Sequence, residues 1–144
     1  MSAKAMVVDD APDIRRLLDL VLSMAGYSVV EAASGVDAVR LLRDDPLPDV
    51  VLLDVQMPDL DGWETLERVR ADPRTARLPV ILCTVKGMAQ DNLRAWSQGC
   101  DGFVTKPVDL TDLVAQVERV LALDDSGRAA LRARRVRELS GRDG

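Results

Sequence analysis

The sequence predicts a small doubly wound α/β domain, a three-layer sandwich with helices on both faces of a parallel sheet. Two observations carry that expectation: five short apolar segments recur along the chain, and a helix-like pattern separates each from the next. The apolar segments show little polar alternation, as strands covered on both faces do. Such alternation builds βαβ units with right-handed crossovers, so the strands run parallel.

KAMVV at 4–8 is the first strand. Over 13–25, Ile14, Leu17, Leu18, Val21 and Leu22 recur at three- and four-residue spacing, and Gly26 stands where a C-cap glycine belongs. YSVVEA at 27–32 is the second strand. Ser34 suits the N-cap of a helix running through Leu42, and Pro46 and Pro48 close that segment. DVVLL (49–53), PVILC (79–83) and DGFVT (101–105) are the remaining strands. Helices fit at 62–71, 89–98 and 109–122, the last capped by Asp109 or Thr111.

Composition narrows the function classes. A chain of 144 residues, 47% hydrophobic, fits one domain with a proper core and little room for a second. Its apolar runs are far short of a membrane span, and MSAKAMVVDD lacks the features of a signal peptide. With no histidine and only Cys83 and Cys100, the chain offers no zinc site, no disulfide framework and no Ser-His-Asp or Cys-His catalysis. It cannot be a phosphohistidine carrier either. Reduced, buried thiols in the cytoplasm are expected. No GxGxxG or GxxxxGK(S/T) follows the first strand, so a nucleotide phosphate cradle is not expected. Residues 1–123 hold 13 Lys/Arg against 20 Asp/Glu, a net −7, which disfavours nucleic-acid binding by the main body.

The strand ends carry the chemistry. Asp9 and Asp10 follow the first strand, Asp54 the third, Thr84 the fourth and Lys106 the fifth. Parallel strands bring all of these to one edge, where ligands bind in doubly wound folds. Each alone has an ordinary reading: Asp10 as a helix cap, Thr84 as a satisfied core hydroxyl, Lys106 as a solvated charge. Together they are hard to assign to capping, because clustered carboxylates repel one another unless a cation sits among them. Mg²⁺ takes oxygen ligands and is often held by one or two carboxylates plus a phosphate. Asp10 and Asp54 would serve as direct ligands, with Asp9 acting largely through water. A carboxylate facing Mg²⁺ and a lysine would act as nucleophile toward a phosphoryl group, with Lys106 supplying charge and Thr84 a hydrogen bond.

These stretches, VVDDAP (7–12), LLDVQMPDLDG (52–62), ILCTVKG (81–87) and GFVTKPVD (102–109), resemble the receiver domain of bacterial two-component response regulators, of the chemotaxis-regulator type. The resemblance covers roughly 4–122 and assigns 1–123 to the receiver. It implies a flavodoxin-like (βα)5 fold with strand order 2-1-3-4-5. It further implies that Asp54 is the phosphoacceptor, that Asp9, Asp10, Asp54 and the backbone carbonyl of Gln56 hold Mg²⁺, and that Lys106 binds the phosphate. Thr84 and Phe103 would be the switch pair, and Lys106–Pro107 a cis bond. Gln56 and Lys86 flank the pocket at positions that tune dephosphorylation. A sensor histidine kinase or histidine phosphotransfer protein would be the donor. Phosphorylation would bias a two-state equilibrium of the 84–88 loop and present the face formed by 88–98, 101–105 and 109–122 to a protein target. The domain would be a monomer or a phosphorylation-dependent dimer, binding neither membrane nor nucleic acid. Trp96 either marks that face as an exposed partner site or belongs to the core.

A phosphotransferase of the haloacid dehalogenase type also uses a strand-tip aspartate and Mg²⁺. It needs a second aspartate two positions on, where this chain has Gln56. Residues 124–144, with six arginines and four acids, lie outside the resemblance. Asp125 or Ser126 would cap a helix over 128–139. That Arg-rich segment reads as an exposed linker helix or tail, as a docking helix, or as a linker to a DNA-binding or enzymatic output domain.

Overall fold

In the computed structural model, which describes residues 3–85 and 89–141, five strands form one parallel sheet: β1 (Lys4–Val8), β2 (Ser28–Ala32), β3 (Val50–Asp54), β4 (Val80–Val85) and β5 (Gly102–Lys106). Their order is β2-β1-β3-β4-β5. The helices are α1 (Pro12–Met24), α2 (Gly35–Leu41), α3 (Gly62–Ala71), α4 (Ala89–Gln98), α5 (Leu110–Ala122) and α6 (Asp125–Ser140). This is the doubly wound sandwich that the strand–helix alternation predicts.

Burial explains why the strands read as apolar runs. All five residues of β3 are buried, as are four of five in β1, whereas the edge strand β2 is buried only at Ala32. Alternate residues enter two cores. Met6, Val8, Val51, Leu53 and Leu82 pack toward the side that includes Leu66 and Trp96 of α3 and α4. Ala5, Val7, Val50, Leu52, Ile81 and Val104 pack toward the side that includes Leu18 and Leu113 of α1 and α5.

The helix ends use the expected residues. Pro12 opens α1, where its missing N–H costs nothing. Gly26 follows at φ 100°, with the Tyr27 N–H donating to the Leu22 carbonyl at 3.0 Å. Ser34, Asp61 and Asp109 cap α2, α3 and α5 through side-chain oxygens. For α6 the cap is Asp124, which accepts the Gly127 N–H at 2.7 Å, so the helix starts earlier than the expected 128.

The last helix lies against α4. Its partly buried residues include Arg128, Leu131, Arg132, Arg135, Val136 and Leu139, a stripe at three- and four-residue spacing. Beneath it Trp96 is buried, with the Arg135 guanidinium 5.5 Å from its ring centroid and its Nε1–H donating to Asn92 Oδ1 at 3.0 Å. Trp96 is therefore a core residue and not an exposed marker. Among the described residues, no helix is long and apolar enough to cross a membrane.

Candidate functional site

The carboxyl ends of the strands meet at one edge of the sheet, and backbone contacts fix the acids there. Asp9 follows β1; its N–H donates to the Ala32 carbonyl at 3.2 Å, and its Oδ1 accepts the Ala11 N–H at 2.9 Å. Arg15 of α1 braces the same end, donating to the Asp9 carbonyl at 2.8 Å and pairing with Glu31 at 2.9 Å. Asp54 is the final residue of β3 and only 4% exposed. The Gln56 N–H lies 3.3 Å from its Oδ1.

Lys106, the final residue of β5, reaches across β4 to the centre of the edge. Its Nζ stands 3.1 Å from Asp9 Oδ2 and 3.2 Å from Asp54 Oδ1. One carboxylate oxygen each from Asp9, Asp10 and Asp54 lies within 4.8 Å of the others, and Asp10 alone of the three is exposed. Asp54, Thr84 and Lys106 belong to the strands rather than following them, because the ladder continues through Asp54↔Cys83, Thr84↔Thr105 and Val85↔Lys106.

The turn after β3 folds back onto this centre. Asp59 takes φ 65°, and Asp61 caps α3 by accepting the Glu64 N–H at 2.9 Å. Gly62 follows, and only a glycine fits: a Cβ there would stand 2.4 Å from the Asp54 carbonyl oxygen. The Gly62 N–H donates to the Val55 carbonyl at 2.9 Å, which holds the loop beside the acid.

Electrostatics match this crowding. Burial and then the neighbouring Asp9 push the Asp54 carboxyl above the usual carboxylate range, with Lys106 and the Gln56 N–H opposing. Burial is the largest influence on the Lys106 ammonium and pulls its pKa down; Asp54 and Asp9 together outweigh it, so the net shift is upward. Asp9 and Asp54 thus share one ammonium, with the Asp10 carboxylate beside them. An all-oxygen donor set of this kind, with one acid open to water, fits a hard divalent cation such as Mg²⁺. Burial pushes the adjacent Cys83 thiol up to about 12, so it stays protonated at neutral pH.

Thr84, buried at 2%, and Phe103 share a face of the sheet, since Thr84 lies two residues beyond Leu82, the register partner of Phe103. The bond Lys106–Pro107 is cis. Residues 86–88, including the flanking Lys86 and most of the 84–88 loop, lie outside the described residues.

Two features have no counterpart in the motif reading. Arg94 of α4 stacks over Trp63 at 4.1 Å, in a groove that Gln56, Thr84 and Asp91 also line. At the opposite edge of the sheet, the buried Asp101 accepts from Arg70 at 2.9 Å, from the Val80 N–H at 3.0 Å, and from Arg132 of α6. Burial lowers the pKa of Arg70, which Asp101 counteracts. Asp101 reads in the sequence as an ordinary residue opening a strand; the five-residue spacing between it and Lys106 is the only hint that both ends of β5 are charged.

The chain is similar to known proteins over most of its length. The family model described as "Response regulator receiver domain" matches residues 5–118. The chain is 37% identical over 120 residues to Protein PilH of Pseudomonas aeruginosa, covering 83% of this chain and 98% of that protein. It is 36% identical over 145 residues to Response regulator PleD of Caulobacter vibrioides, covering 98% of this chain and 32% of that protein. The solved structure of the chemotaxis response regulator CheY4 of Vibrio cholerae superposes with a TM-score of 0.77 at 29% identity, over 83% of this chain and 99% of that one. The chain spans half or less of the length of several curated relatives that it matches.

Proposed function

The chain belongs to the response regulator receiver domain family, and from that premise we propose that it is a Mg²⁺-dependent phospho-accepting switch with Asp54 as the acceptor. The observation that carries this reading is Lys106 Nζ, at 3.1 and 3.2 Å from two nearly buried carboxylates. An ammonium held there is already placed to receive the charge of an incoming phosphoryl group.

The donor is a phosphohistidine on a sensor histidine kinase or histidine phosphotransfer protein. A carboxylate oxygen of Asp54 forms the new P–O bond as the P–N bond breaks and the imidazole leaves. Asp9, Asp10, Asp54 and the Gln56 carbonyl would hold Mg²⁺, which would supply charge neutralisation at the phosphoryl oxygens. Lys106 binds one of those oxygens and Thr84 donates its hydroxyl to another. Positioning and charge neutralisation supply most of the acceleration in such transfers, so the chain promotes its own phosphorylation and its slow hydrolysis by water. Gln56 and Lys86 set that hydrolysis rate.

Running away from the pocket edge, α1 exposes Ile14, Leu17, Leu20 and Met24, an apolar strip suited to docking the donor protein. Phosphorylation adds close to two negative charges, drawing in Thr84 and turning Phe103 inward. The face formed by 88–98, 101–105 and 109–122 then reads out the state to a protein target, with the domain monomeric or dimerising on phosphorylation. Buried free Cys83 and Cys100 support a cytoplasmic setting. The acidic main body, at −7, supports a protein rather than a nucleic-acid partner for this domain. A second reading, a receiver within a larger regulator carrying a DNA-binding or enzymatic output, is favoured by the length of relatives such as PleD, of which the chain covers 32%.

Intact mass after incubation with Mg²⁺ and acetyl phosphate tests the reading. A gain of one phosphoryl group, lost with chelator and in Asp54→Asn, is expected. A gain that survives in Asp54→Asn would move the acceptor to another acid.

A further inference from the structure

The face assigned to signal output is not free in this chain, because α6 lies on it. We propose that α6 is a strap that covers the output face in the unphosphorylated protein and is released when Asp54 is phosphorylated; this rests on Asp54 being the phosphoacceptor.

The strap is built to hold without becoming part of the core. Its inward stripe alternates arginine with aliphatic residues: Arg128, Leu131, Arg132, Arg135, Val136 and Leu139. None of these is fully buried, whereas α5 buries Leu113, Val117 and Val120. Arginine supplies each polar tie. Arg128 donates to the Val120 carbonyl at 3.3 Å and to that of Leu123, closing the end of α5. Arg132 donates to the buried Asp101, and Arg135 stacks over Trp96. Helices fixed by partly exposed contacts open at lower free energy than those carrying core residues.

The link to the phosphorylation site runs through one side chain. Phe103, only partly buried, lines the same cavity of about 360 Å³ as Trp96, Leu131 and Arg135. It also shares its sheet face with Thr84 on the neighbouring strand. Movement of Phe103 toward Thr84 withdraws part of the wall on which α6 rests. What is then uncovered is a buried tryptophan beside a buried carboxylate, Trp96 and Asp101, a surface that suits an arginine-bearing amphipathic helix of a target protein. Because coupling between two sites is reciprocal, loosening α6 must in turn favour phosphorylation.

Hydrogen exchange of the full chain, with intact mass measured on the same samples, tests this. Exchange of amides in 128–139 is expected to quicken at least tenfold in phosphorylated protein and to stay unchanged in Asp54→Asn under the same additives. Arg132→Ala, which cuts the tie to Asp101 far from the pocket, should show fast α6 exchange before phosphorylation and a larger phosphorylated fraction at a given acetyl phosphate concentration. Unchanged exchange in α1 and α5 of that variant would verify its fold. A mass gain with unaltered α6 exchange would overturn the strap and leave the phosphoacceptor standing. Absence of any mass gain would overturn both. Slow α6 exchange in a folded Arg132→Ala protein would also overturn the strap.

Discussion

Lys106→Met gives the sharpest test of how the acidic centre is held together. Lys106 Nζ lies 3.1 Å from Asp9 and 3.2 Å from Asp54. At an effective dielectric of roughly 20, each contact is an attraction of about 5 kcal/mol before desolvation is counted. The substitution keeps an unbranched stem up to the position of the lysine Cε, restores no solvent to Asp9 or Asp54, and leaves both acids without their cation. Removing one partner of a buried pair costs about 3–5 kcal/mol; the Lys106 side chain is 25% exposed, which places the loss near the lower end, at about 3 kcal/mol. With a urea slope of about 1–3 kcal/mol/M, the unfolding midpoint should fall by roughly 1–3 M in chelator at neutral pH. The pH dependence follows from the raised Asp54 carboxyl, which burial and Asp9 already push upward. Without Lys106 it rises further, so the penalty is largest above the carboxylate range and shrinks as pH falls through it. Mg²⁺ should recover part of the loss by replacing the missing charge. A midpoint drop that is the same at neutral and acidic pH, and indifferent to Mg²⁺, would refute this electrostatic account and leave only lost packing.

Two further outcomes follow from the geometry. Gly62→Ala places a Cβ 2.4 Å from the Asp54 carbonyl oxygen, so the turn must shift; we expect about 2–4 kcal/mol of destabilisation and impaired phosphorylation by acetyl phosphate, read by urea titration and intact mass. Leu17→Glu puts a charge in the exposed strip of α1, where Leu17 is 42% exposed; phosphorylation by acetyl phosphate should persist while transfer from a phosphohistidine protein falls at least tenfold. Equal loss with both donors would mean the strip does not dock the donor.

The sheet and the acidic edge were legible because each rests on short-range pattern. Continuous apolar runs such as VVLL mark central strands whatever lies around them, and the polar residues closing four of the five runs, Asp9, Asp54, Thr84 and Lys106, fall together at one edge. The placement of α6 was not legible for the opposite reason. Its inward stripe interleaves Arg128, Arg132 and Arg135 with Leu131, Val136 and Leu139; the amphipathic pattern over 128–139 is readable, but a face that packs partly through guanidinium stems does not tell which neighbour it covers. The burial of Trp96 depends on that helix, and the role of Asp101 depends on Arg70 and Arg132, 31 residues away on either side. No local window of sequence contains those pairings.

Strand β5 carries a charged anchor at each end, Asp101 before it and Lys106 as its last residue. Five steps of about 3.3 Å set these roughly 17 Å apart. At an effective dielectric of 20, unit charges at that distance exchange only about 1 kcal/mol, and salt with a screening length of about 8 Å reduces it further. The two ends are thus electrically insulated from each other. If α6 is released as proposed, the message along β5 travels as displacement of Phe103, the second residue of the strand, so the volume of the side chain at 103, more than its polarity or the charge around it, sets how well one end hears the other.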